Sequence, residues 1–277
     1  MDSILEYFGN IPTVHRSILL FGGLAFFFII ENTLPLFRDQ HNKWNHTGVN
    51  LFFTMTTILV NFSMAFILLK TADWVVTHKV GFLQMIDIPI ILQILFGLVF
   101  FDLIGSYIPH YAEHKIKWMW QLHLVHHTDQ HVSTTTANRH HPGESVIRFI
   151  FTTLAVVILG APIWLVFLYQ SLSVVLTQFN HSNIKMPTWL DDTLSTLFCT
   201  PNMHRVHHHY RQPYSDMNYG NIFSIWDRIF GTYMELDREK IVYGVDTFPD
   251  EEKNSSLKEL LKQPFQGYRK PTRVEDV

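Results

Sequence analysis

The sequence predicts an all-α protein: a membrane-embedded helical bundle carrying a histidine-rich helical cap. Three observations predict it. Several apolar runs approach the roughly 20 residues that a helix needs to cross a bilayer. Only 16% of the residues are charged, against about a quarter in a water-soluble domain. The 17 histidines are far more than a core or a surface requires, and many stand in short boxes at helical spacing. The formal charge of −3 and the lack of a basic stripe speak against a nucleic-acid partner. A single cysteine, Cys199, excludes a disulfide framework and a paired-cysteine metal knuckle.

The first apolar run is Ser17 to Phe37. It has only Arg16 just upstream and no small-residue cleavage site behind it, so it reads as an anchor rather than a signal peptide. Glu31, near its end and followed by "NTLP", reads as an interfacial carboxylate. The second run is Val49 to Leu69, and the third is Ile86 to Ile108 with Asp102 inside it. The fourth, Val146 to Phe179, is interrupted by Gly160-Ala161-Pro162, the signature of a helix break. Its two short halves are expected to form a hairpin that leaves and re-enters on one side.

The chain thus divides into an N-terminal anchor region (1–100), a histidine-bearing domain (101–235) with a membrane hairpin (146–179), and a polar tail (236–277) expected to be solvated. The hairpin puts the histidines before it and after it in one compartment. Arg38, Lys43, Lys115, Lys117, Arg139 and Arg148 on that side, against Arg16, Lys70 and Lys79 on the other, make it the cytoplasmic one.

"HYAEH" gives His110 and His114 at i and i+4, hence on one helical face. "HLVHH" gives His123, His126 and His127, and "HRVHH" gives His204, His207 and His208, each at i, i+3 and i+4. Neutral imidazole suits iron, zinc and copper. Eight such donors exceed what one ion holds, so the count suggests two metal ions. A structural zinc site needs only four ligands, usually with cysteine. A hydrolytic two-metal site normally has bridging carboxylates, and none is interleaved in these boxes. All-nitrogen donors at a membrane face therefore point to redox-active iron and dioxygen. His15, His41, His46 and His78 lie near span ends, away from the boxes, and read as interfacial.

In order, "D…YIPH", "HYAEH", "WQLHLVHHT", "TTANRHHPGE", "FNHSN", "TPNMHRVHHH", "NYG" and "WDRIFGTY" run from Asp102 to Tyr233. This ordered set resembles the fatty acid hydroxylase and sterol desaturase superfamily of membrane di-iron enzymes. The closing segment is similar to the alkylglycerol monooxygenases. The resemblance implies His110, His114, His123, His126, His127, His204, His207 and His208 as metal ligands, with His181 a ninth. His141 stays open between a ligand, a donor behind the ligands and a substrate contact, while His140 and His209 are extra to the pattern and read as structural. Ile108 and Tyr111 stand where the family often has Trp and Arg. Metal-bound histidines usually give their other N–H to a carboxylate or carbonyl, and Asp102, Glu113, Glu144 and Asp227 are the candidates. For Asp227 an ion pair with Arg228 carries nearly equal weight. Phe223, Trp226 and Phe230 are expected to pack the cap.

The resemblance implies a membrane-bound oxidoreductase that uses two irons and O2 to hydroxylate or desaturate a lipid: fatty acyl, sterol or ether lipid. No dinucleotide fingerprint is present, so electrons are expected from an external donor, whether a cytochrome, a ferredoxin or tetrahydropterin. A membrane metal-binding or transport protein without oxidase activity is the competing reading, but its ligands belong within spans rather than beyond their ends. A catalytically dead scaffold is opposed by the completeness of the boxes.

Overall fold

The computed structural model describes residues 2–38 and 42–273. His41 lies outside the described residues. Its named elements are all helical. In chain order they are α1 (Asp2–Gly9), α2 (Thr13–Thr33), α3 (Lys43–Thr77), α4 (Ile90–Lys115), α5 (Lys117–His127), α6 (Pro142–Leu159), α7 (Ile163–His181), α8 (Thr188–Ser195), α9 (Pro201–His207), α10 (Ile225–Phe230) and α11 (Leu257–Lys262), with single turns between some of them. The helices α2, α3, α4, α6 and α7 are long and apolar enough to cross a membrane. This is a multi-pass membrane protein.

The apolar sequence sets the packing. Leu68, Ala72 and Val75 of α3 meet Phe149, Ala155 and Val156 of α6 and Leu165, Val166 and Tyr169 of α7 in the main core. Leu59, Phe62 and Phe66 of α3 face outward, Phe62 being 80% exposed. Such an apolar outer face is stable only against lipid. The Asn42 side chain caps α3 by accepting from Asn45 N at 3.2 Å. With 35 residues, α3 is about 52 Å long at ~1.5 Å per residue. That is well beyond a hydrocarbon core of about 30 Å.

α4 would be expected to break at Pro109, whose ring opposes the carbonyl four residues back. It continues because Leu103–Tyr107 forms a π turn, with Ile108 N donating to Leu103 O. The first histidine box thereby rides on the end of a spanning helix. α6 begins with Pro142 at its N-terminus and ends at Gly160, whose φ of +67° is left-handed. The hairpin turn packs backbone to backbone on Gly81, itself at φ +94°. A Cβ on Gly160 would stand 2.4 Å from Val80 O, so the turn needs glycine there.

Three expectations are revised. Glu31 is buried rather than interfacial, and it accepts the backbone N–H groups of Thr134 (2.9 Å) and Asn183 (3.0 Å). His46 is buried too, its Nε2 lying 2.9 Å from Asp129. The tail is packed rather than solvated. Leu260 sits with Val49, Phe53 and Val125, and Gln121 donates to Pro264 O at 3.0 Å. His15 and His78 are exposed and make only local contacts, with Tyr7 and Trp74.

Candidate metal centre

The boxes fall where helices end. His110 and His114 occupy the last turns of α4, and His123, His126 and His127 those of α5. His181 closes α7, while His204, His207 and His208 close α9. Thr200 caps α9 and Pro201 starts it, which fixes the third box in helical register. Their imidazoles converge in two groups: His110, His114, His123, His127 and His207 in one, His126, His181, His204 and His208 in the other. Within each group one ligand atom per residue lies within 4.8 Å of every other. The groups adjoin. The rings of His127 and His208 are 4.8 Å apart, and those of His204 and His207 are 5.2 Å apart.

Hydrogen bonds fix which nitrogen faces inward in four of the rings. His110 Nδ1 donates to Tyr219 O (2.8 Å), His207 Nδ1 to Met217 O (2.7 Å), His123 Nδ1 to Glu144 Oε1 (2.8 Å) and His181 Nδ1 to Thr177 O (2.8 Å). Protons held on Nδ1 leave Nε2 as a bare lone pair. His110, His114 and His207 each have a buried Nε2 with no partner. Leaving such an atom unpaired costs about 1–3 kcal/mol. His181 Nε2 lies 3.2 Å from His126 Nε2 and 3.0 Å from His204 Nε2. Lone pairs converging at that distance are stabilised by a shared cation, so the donor set fits transition-metal binding.

Burial first, and then neighbouring imidazoles, hold His123, His126, His127, His204 and His208 well below the ordinary histidine value of 6.5. These rings are neutral, as ligands must be. Because the folded values lie below the unfolded one, the unfolded chain takes up more protons as pH falls below about 6.5. Chelator-stripped protein should therefore melt at a lower temperature at about pH 5.5 than at about pH 7.5. Equal melting temperatures would contradict this.

Of the candidate acids, Glu144 and Glu113 stand beside an imidazole, 2.8 and 3.8 Å from His123 Nδ1, and Asp102 and Asp227 do not. Glu144 receives His123 and also binds Arg148 Nε at 3.0 Å, while Arg148 Nη2 reaches Glu113 at 2.7 Å. Asp102 and Asp227 touch no imidazole. Asp102 accepts from Ile222 N and Phe223 N at 3.2 Å and from Tyr169 at 3.1 Å. Asp227 accepts from Tyr219 N and Gly220 N at 2.8 Å and from Thr232 at 2.7 Å, and Arg228 turns instead to Ser195 O. Both clamp the backbone that presents Tyr219 O to His110. His141 is outside the cluster, because it caps α6 by accepting from Gly143 N. Its neighbour His140 is inside, stacked 4.8 Å from His126 with Nδ1 2.7 Å from Glu144. Asp216, not singled out in the sequence, lies 3.5 Å from His114 Nδ1 and 2.6 Å from Lys115 Nζ. His209 is buried away from the groups and accepts from Val242 N. Trp226 packs beside Tyr107 and Tyr219, with Phe223 against them.

The profile described as Fatty acid hydroxylase matches residues 94–232. The chain belongs to the fatty acid hydroxylase family. Among its curated relatives in that family, alkylglycerol monooxygenase of Caenorhabditis elegans is 35% identical over 154 residues, covering 54% of this chain and 29% of that protein. Ornithine lipid hydroxylase OlsE of Rhizobium tropici is 27% identical, over 52% of this chain and 43% of that protein. Alkylglycerol monooxygenase of Homo sapiens is 34% identical, over 51% and 30% respectively. The chain thus matches less than half the length of these relatives. No solved structure matches. By their names these relatives are lipid monooxygenases or hydroxylases.

Proposed function

We propose that the protein uses O2 to hydroxylate or desaturate a C–H bond of a lipid, at two iron ions held by the two histidine groups. The observation that carries this reading is the closure of the cluster. Nine imidazoles meet in two adjoining sets, all but sealed from solvent; neither set includes a carboxylate, and Glu144 stands beside them with His123 and His140. When bound, a pair of irons supplies the activation of dioxygen needed to attack an unactivated C–H bond. The chain's own part is to hold the rings neutral and oriented. Tyr219 O, Met217 O, Thr177 O and Glu144 fix the tautomers of His110, His207, His181 and His123, and burial excludes water.

An ether lipid is the first substrate to test, because alkylglycerol monooxygenases are similar to this chain; fatty acyl and sterol substrates come next. The donor would be external: a cytochrome, a ferredoxin or tetrahydropterin. The charge bias in the flanking segments supports a cytoplasmic cluster. A transport role is disfavoured because the rings close on one another instead of lining a path.

Protein purified without added metal should carry about two irons per chain, as nine nitrogen donors require. One iron or none would count against a dinuclear centre. Lipid extracts of expressing and non-expressing cells should differ by gain of one oxygen, loss of two hydrogens, or disappearance of ether lipids. Identical extracts would sink the oxidase reading.

A further inference from the structure

A polar cavity of about 450 Å³ opens beside His114, at the edge of the metal centre. That is the size of a small-ligand site. Its lining includes Lys115, Lys117, Lys270 and Arg273, with Asp216 the one carboxylate. Asp216 is already engaged with Lys115 at 2.6 Å. Lys117, Lys270 and Arg273 have no carboxylate partner among the described residues. Three such cations, all exposed, gather positive potential around one cavity and favour an anion there.

The cavity's place in the fold says which anion. Lys115 is the last residue of the spanning helix α4, so the cavity lies where hydrocarbon gives way to headgroups. Trp118, 58% exposed one residue beyond Lys117, is an interfacial residue type. Cations at that level meet phosphate. The tail is pinned beside the cavity, so Lys270 and Arg273 line its rim. Gln212 N donates to Thr272 O at 3.1 Å, and Arg269 pairs with Asp246 at 3.1 Å. Trp120 and Tyr268 pack together on the cavity's apolar side.

We propose that this cavity binds the phosphate group of a lipid headgroup, against the His114 side of the metal centre. The proposal rests on the lipid-oxidising reading and narrows its substrate class to phosphate-bearing lipids. Sterols and other neutral lipids would not fill the site.

The test measures binding without turnover, on the full chain in detergent, by native mass spectrometry with three probes: dioleoyl phosphatidic acid, dioleoylglycerol and inorganic phosphate. Phosphatidic acid should bind at least roughly tenfold more tightly than dioleoylglycerol, since only it offers a phosphate to the cations. The K270E/R273E variant should lose that preference while keeping its helical content and iron content. Equal binding of the two lipids, or an unaltered preference in the variant, overturns the proposal. Inorganic phosphate binding as tightly as the lipid would assign the cavity to a free anion and overturn the lipid source. A variant that fails to fold is replaced by Lys117→Gln with Lys270→Gln, read the same way. Headgroup preference in a protein that oxidises no lipid would leave this site standing and remove the proposed function. Oxidation without headgroup preference would do the reverse.

Discussion

His207→Ala is expected to abolish lipid oxidation while leaving the protein in the membrane. The His207 ring lies 4.5 Å from that of His110, 4.6 Å from His127 and 4.7 Å from His114. Its Nε2 is buried and unpartnered, and its Nδ1 is held by Met217 O. Alanine removes a nitrogen that no neighbour can replace. Disturbing a residue behind a metal ligand already costs about 10–100-fold in affinity or activity, so loss of the ligand itself should exceed roughly 100-fold. Insertion should survive, because residue 207 lies in α9, outside the five spanning helices. The measurement is product per membrane-inserted protein by lipid mass spectrometry, with His15→Ala as the control. Product within about twofold of wild type would remove His207 from the centre.

Arg139→Met should cost more stability than any surface change. Arg139 is 1% exposed. It donates to Val125 O at 2.8 Å, Asn50 Oδ1 at 3.1 Å and Asn254 O at 2.7 Å, and lies 4.0 Å from Asp129. One guanidinium thereby ties α3, the second histidine box and the tail together. Burial alone would raise the Asp129 carboxyl, but His46 and Arg139 outweigh it and hold it well below the usual carboxylate range. Methionine fills similar space but removes the donors to Val125 O, Asn50 Oδ1 and Asn254 O and leaves a buried carboxylate with less compensation. Breaking such a pair typically costs about 3–5 kcal/mol, out of a total of roughly 5–15 kcal/mol. The melting temperature in detergent should fall by roughly 10 °C. Adding Asp129→Asn should cost less than the sum of the two single changes, because both remove one network. Additive losses, or an unshifted melting curve, would show that the network contributes little.

The histidine groups were legible because their spacing is local: i, i+3 and i+4 put rings on one helical face whatever the rest of the chain does. The hairpin was legible from Gly160-Ala161-Pro162 for the same reason. What escaped was partner choice over long separations. His46 and Asp129 are 83 residues apart, and nothing in either segment names the other. Asp102 and Asp227 looked like partners for imidazole because they flank the boxes. The backbone N–H groups of residues 219–223 reach them first, and that turn has no sequence signature of its own. The tail carries a signal of its own. Leu257, Leu260 and Leu261 stand at i, i+3 and i+4, an apolar stripe inside a charged segment, and they are what docks it. His140 and His141 are adjacent in sequence, and only the cap geometry of α6 decides which of them turns inward.

The length of α3 has a consequence for the placement of the centre. One uninterrupted rod runs from the lipid-facing Phe66 to His46 and Asn50 under the cap, and a rod of fixed pitch cannot shorten. The spacing along α3 between its lipid-facing stretch and the imidazole cluster is therefore set by a count of helical turns, and a bilayer of another thickness is met by tilting the rod rather than by changing that spacing.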